Sequence, residues 1–205
     1  MKRALLLLVI LIVPVFLFAQ ESDVFRLGFK FGPNFSFGSG TPTNPDIYGT
    51  KLTAGFSAGG FAELVPIDNL SVEFDIFFTW FNYGVKSSST QDITLKYAAM
   101  ELPLIVKGRL PLGPGVAFLG IGPDFIFLTG KVNLEIGSST IVLPADQIFH
   151  TTLIVTGGYD WAIAQNANIS LELRYLRSFS SPSDSAEADI NANRFDVLFG
   201  WSADF

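Results

Sequence analysis

The chain has 205 residues, one domain's worth, of which 49% are apolar, 14% aromatic and only 16% charged, with a formal net charge of −6. So little charge does not suit a surface met everywhere by water, and the acidic balance argues against nucleic acid or an anionic membrane surface as partner. Cysteine is absent, which removes disulfide staples, thiol nucleophiles and Cys-based metal centres.

At the N-terminus Lys2 and Arg3 precede an apolar stretch over residues 4–19 that ends in Ala19 before Gln20 and Glu21. This is the layout of a secretory signal peptide, and cleavage after Ala19 is expected, leaving residues 20–205 as the mature domain. An N-terminal membrane anchor is the competing reading, but Pro14 interrupts the helix and the run is short for a span. No cysteine follows the apolar run, which excludes a lipoprotein. Without Lys2 and Arg3, eleven basic residues stand against nineteen acidic ones, a net of −8.

Beyond residue 20 no apolar run reaches the ~18 residues of a membrane-spanning helix. Instead the chain alternates. Phe25, Leu27, Phe29, Phe31, Phe35 and Phe37 take the odd positions and Arg26, Gly28, Lys30, Gly32, Asn34 and Ser36 the even ones. Period two means a strand with one apolar and one polar face. The pattern recurs over 52–65 and 70–83, where Leu70, Val72, Phe74, Ile76, Phe78 and Trp80 oppose Ser71, Glu73, Asp75 and Thr79. Further strands are expected at 93–109, 116–129, 148–163, 169–179 and 193–205, completing eight. In the fifth, Gly120, Gly122 and Pro123 blur the parity.

Globular strands average ~5–6 residues, whereas a tilted strand crossing a bilayer needs ~9–11, so these lengths favour a membrane barrel. Connections alternate accordingly. Segments 38–51, 84–92, 130–147 and 180–192 are long and rich in Ser, Thr, Asn and Asp, whereas 66–69, 110–115 and 164–168 are tight turns, the pattern of a barrel with both termini inside and its long loops outside. Aromatics gather at the strand ends, with Trp80, Phe125 and Phe127 at the outer rim and Phe25, Trp161, Trp201 and Phe205 at the inner one. The alternative, a lipocalin-like secreted barrel, needs the Phe-rich face to point inward. The expected fold class is therefore all-β, an eight-stranded antiparallel up-and-down transmembrane β-barrel.

The segment YAAMELPLIVK at 97–107 resembles a strand motif of the small outer-membrane β-barrels grouped as PorT-like or "porin family" proteins. So do the opening LGFKFGPNFSF, GIGPDF, SLELRY and the terminal aromatic. The resemblance covers nearly the whole mature chain and implies a bacterial outer-membrane barrel. Within that family most members have no assigned molecular activity, and PorT-like relatives are linked to protein secretion.

Three groups of residues bear on function. His150 is the single histidine, expected at the outer end of the sixth strand, and catalysis by a lipid-modifying enzyme would rest on it alone. Asp184, Glu187 and Asp189 of the last loop lack the glycine and ligand spacing of a calcium loop, so neither a metal nor any other cofactor is expected. The third group is a network of inward-facing charges: Arg26, Lys30, Glu63, Glu73, Asp75, Glu101, Lys107, Asp160, Glu172 and Arg174. Enclosed together, opposite charges must pair, because an unpaired buried ion costs several kcal/mol. All but Glu101 are expected in the periplasmic half of the lumen. Its outer half, with Thr53, Ser57, Phe61, Phe77, Thr79, Phe81, Ile154 and Leu198 turned inward, reads as an apolar cup or as simple filling.

The leading expectation is a non-enzymatic barrel with a charge-plugged lumen and outward loops serving surface interaction or envelope integrity. A narrow pore or carrier of small solutes is the alternative, and an outer-membrane hydrolase or acyltransferase the third reading. Expected partners are outer-membrane lipid, a surface ligand of unknown nature, and the barrel-assembly machinery, which would read Phe205 as an insertion signal.

Overall fold

The computed structural model describes residues 24–39, 47–87, 93–128, 131–136, 139–144, 149–178 and 191–205. The expected signal peptide over 1–19 and the acidic residues Asp184, Glu187 and Asp189 lie outside the described residues. The strands are β1 (Val24–Ser39), β2 (Ile47–Lys51), β3 (Thr53–Ile67), β4 (Leu70–Ser87), β5 (Ile93–Leu112), β6 (Gly115–Leu128), β7 (Lys131–Ile136), β8 (Ser139–Pro144), β9 (Phe149–Ala164), β10 (Ala167–Ser178) and β11 (Asn191–Asp204).

Eight of these strands close a ring in the order β1–β3–β4–β5–β6–β9–β10–β11, with β11 pairing back onto β1 and every pairing antiparallel. Two-residue turns at Asp68–Asn69, Gly113–Pro114 and Gln165–Asn166 join three of the pairs at one end. At the second of these Gly113 takes φ +60°, a conformation that costs glycine little. The termini meet at the same end, where Phe25 and Phe205 exchange both backbone hydrogen bonds.

Polar and apolar faces are reversed relative to a soluble protein. Along β1, Arg26, Lys30, Asn34 and Ser36 are buried while Leu27, Phe29 and Phe31 are exposed. Phe78 and Trp80 on β4 are each 54% exposed, and Phe199 on β11 is 50% exposed. The Phe-rich face therefore points outward, which overturns the lipocalin-like alternative. Such a belt is stable only against lipid. Neighbouring belt residues pack on one another, as in Phe29–Trp201 at 5.8 Å between ring centres and Tyr159–Trp161 at 4.7 Å near the turns.

The structure also corrects two loops. The segment expected as loop over 38–51 contains β2, which continues the line of β3 past Leu52 and pairs with the far end of β4. The segment 130–147 contains the β7–β8 hairpin, with β7 pairing to the far end of β5. Their Ser, Thr and Asn content suggested loop, but β4 and β5 overrun the barrel and present backbone groups that need partners, and β2 and β7 supply them. Residues 115–128 form one regular strand: Pro123 sits on the exposed face while Gly120 and Gly122 face the lumen.

A charged lumen as the candidate functional site

The even positions of β1 and β10 and the odd positions of β3, β4 and β5 point inward, so parity alone delivers charged side chains from many strands to one narrow space. They sort into three tiers.

Nearest the turns, Arg26 is the hub. Its guanidinium lies 3.1 Å from Glu63, 2.9 Å from Asp160 and 2.7 Å from Asp204. Ser71 donates to Glu63 at 2.6 Å, and Asn168 donates to both oxygens of Asp204 at 3.1 Å.

The middle tier is electrically balanced. Lys30 bridges Glu73 at 2.6 Å and Glu172 at 2.7 Å, Lys107 reaches Glu73 at 2.5 Å, and Arg174 contacts Glu172 at 2.6 Å, Asp75 at 2.7 Å and Glu73 at 3.2 Å. Thr156 donates to Glu172 at 2.7 Å. These side chains come from β1, β4, β5, β9 and β10, so the tier crosses the lumen from wall to wall. Glu63 and Glu73 are register partners, a like-charge pairing that is unfavourable by itself. Each is matched by a cation from another strand.

The third tier, toward the loops, was not read from the sequence except for Glu101. Arg194 forks onto Glu101 at 2.6 and 2.7 Å and onto Asp196 at 2.7 and 3.1 Å. Asp124 is fully buried nearby, accepts a hydrogen bond from the Thr152 hydroxyl at 3.4 Å, and makes no ion pair among the described residues. These ions correct the picture of an apolar cup. The apolar residues assigned to it are there, with Phe77 at 2% exposure and Ile154 and Leu198 at 0%, but they pack between charged tiers. Arg194 and Asp196 were legible in principle, because the exposed Phe195 and Phe199 fix the parity of β11 as firmly as the phenylalanines of β1 do, whereas Asp124 sits on β6, where Gly120, Gly122 and Pro123 blur the parity.

Aromatic rings cover the cations. Lys30 lies 4.2 Å from the centre of the Phe61 ring, Lys107 4.4 Å from Phe118 and Arg174 5.0 Å from Phe77. The rings in turn need glycine across the strand: Phe61 pairs with Gly28 and Phe118 with Gly158, and a Cβ on either glycine would lie within 2.6 Å of ring carbons. The ring over each glycine fills the space that its missing side chain leaves.

His150 stands at the loop end of β9, half-buried, with no hydrogen bond to any described serine or carboxylate. Among the described residues no group of three or more His, Asp or Glu side chains has the geometry to hold a metal ion.

A closed eight-stranded barrel with an apolar belt outside and ions within defines a small outer-membrane β-barrel by fold. Comparison with solved structures agrees. The chain is similar to the outer membrane protein OprG from Pseudomonas aeruginosa, with TM-score 0.55 and 15% identity over 90% of this chain and 97% of that one. It is also similar to Neisserial surface protein A, with TM-score 0.50 and 16% identity over 88% and 97%. No protein-family model and no curated protein matches the chain.

Proposed function

We propose that this chain is a non-enzymatic, non-conducting barrel of the bacterial outer membrane, whose mature domain spans residues 20–205 after removal of a signal peptide and whose loops serve surface interaction or envelope integrity. The observation that carries this reading is the middle tier, where three cations and three carboxylates from four facing strands interlock across the lumen. An eight-stranded barrel has an interior only wide enough for side chains, and here long charged chains occupy it. The reading of Phe205 as an insertion signal for assembly machinery is supported by its exposure and by its hydrogen bonding to Phe25 at the rim.

Planar-bilayer recording tests the plug. Purified protein should insert without producing defined conductance steps at neutral pH. Stable, reproducible single-channel steps would overturn the plug and promote a pore.

A further inference from the structure

Glycine inside a strand weakens it, and the lumen glycines have a packing reason: Gly28 and Gly158 make room for rings, and Gly32 and Gly122 lie against the backbone of the next strand. Gly108 and Gly157 have no such reason. They face outward, into the apolar belt. A Cβ on Gly108 would meet nothing nearer than 3.9 Å, and one on Gly157 would meet the tip of the Leu119 side chain at 2.8 Å and a carbonyl at 3.6 Å. Neither lies at a bulge, because β5 keeps its register with β4 and β6 around Gly108, and β9 keeps its register with β6 and β10 around Gly157. Where a strand carries glycine without a bend or a neighbouring ring, what approaches its backbone comes from outside the chain.

Register joins the two positions. Gly108 is opposite Leu119 and Leu119 opposite Gly157, while in the next outward row toward the turns Leu110 is opposite Ala117 and Ala117 opposite Tyr159. The result is an apolar groove of about 780 Å³ across β5, β6, β9 and β10, with Gly108, Ala117 and Gly157 as its floor and Leu110, Leu119 and Leu173 as its walls. It climbs from the rim into the belt: one end is at Asn69, in the turn between β3 and β4, and the other at Leu173, well inside β10. Beyond β10, on β11 and β1, the belt at a similar distance from the turns is filled by the paired rings of Trp201 and Phe29.

We propose that this groove holds one acyl chain of a phospholipid of the periplasmic leaflet, whose headgroup stays at the rim beside the Asp68–Asn69 turn. The groove opens onto the belt that lies against lipid, and its course from rim to belt is the course of a lipid tail. Lipid tails are as apolar as leucine, so close packing against the floor, rather than transfer from water, holds the chain. A second copy is the poorer occupant. A stable dimer buries about 800 Å² of each partner in close contact, whereas Leu110, Leu119 and Leu173, exposed at 62, 73 and 57%, project above the floor and keep a flat partner off it. The proposal rests on the outer-membrane reading above and gives the envelope role a ligand class.

The mature chain, purified in mild detergent, is titrated with a phosphatidylethanolamine carrying two oleoyl chains, and bound lipid is counted by native mass spectrometry. Wild type should hold one phospholipid at low lipid concentration. In Gly108→Leu the new side chain enters open space, so the barrel folds, and it fills the groove; affinity should fall by at least about tenfold. Gly60→Leu is the control. Gly60 faces the same belt from β3, where a Cβ would make ordinary contact at 3.6 Å, and this variant should bind as wild type does. Heat-modifiable gel migration establishes that each variant is folded. If Gly108→Leu binds like wild type, or loses lipid no more than Gly60→Leu does, the proposal is overturned. So it is if oleate binds and the phospholipid does not, which would assign the groove to a free fatty acid, or if wild type is a dimer that Gly108→Leu disperses, which would assign it to a second copy. Conductance steps would remove the plug without altering the lipid count, so the two failures are distinguishable.

Discussion

Among single residues, the middle-tier ions and Asp124 make opposite predictions. Glu73 is 1% exposed and meets three cations, so Glu73→Ala leaves Lys30, Lys107 and Arg174 short of a counter-charge in a closed space. Removing one partner of a buried ion pair costs about 3–5 kcal/mol, and Glu73→Ala or Arg174→Ala should lower the unfolding free energy by that order in urea titrations followed by Trp fluorescence. Asp124 makes no ion pair among the described residues, and its carboxylate is buried near Glu101 and Asp196 as well as near Arg194 and Arg174. Asp124→Asn keeps the shape, removes a like charge and gains a donor, so it should leave stability unchanged or raise it. If Asp124→Asn destabilises as strongly as Glu73→Ala, the tiers are not the source of stability. Gly158→Val should prevent folding for a different reason, because the new side chain would occupy the space of the Phe118 ring; recovery of wild-type heat-modifiable protein would disprove that contact.

At the scale of elements, the barrel and its outward extensions are separable. β6 and β9 pair along thirteen positions, Gly115–Phe127 against Phe149–Trp161, without help from the β7–β8 hairpin. Replacing residues 131–144 with a short turn should therefore leave the folded barrel intact on an unheated gel. Collapse of that variant would mean that the hairpin is required for closure. Strand type, order and the turn end were legible because alternation fixes the facing of every residue, and Asp68–Asn69 and Gln165–Asn166 have ordinary turn chemistry. β2, β7 and β8 were not legible. Each is only five or six residues long and lies within a segment rich in loop residues, and the overhanging ends of β4 and β5 supply the partners that make β2 and β7 strands.

The whole molecule combines a closed hydrogen-bonded ring with an apolar exterior, and a ring has no free edge from which unfolding can start. Unheated protein in detergent should migrate differently from boiled protein, and identical migration would remove the barrel. Deleting Phe205 should lower outer-membrane yield in a native host, a change expected only if the terminal residue guides insertion.

The sequence by itself determined the eight barrel strands, their inward and outward faces and the lipid-facing belt, because those follow from period two and strand length. It also named most lumen ions, since Arg26, Glu73 and Arg174 share the parity of known inward positions. Only the tertiary structure decided which ions meet. Arg174 and Glu73 are 101 residues apart, and the 3.2 Å between them is set by ring closure and strand stagger, quantities that no local pattern encodes. The same closure gathers charges that composition had pooled, enclosing nine carboxylates of the described residues with Arg26, Lys30, Lys107, Arg109, Arg174 and Arg194 in one lumen.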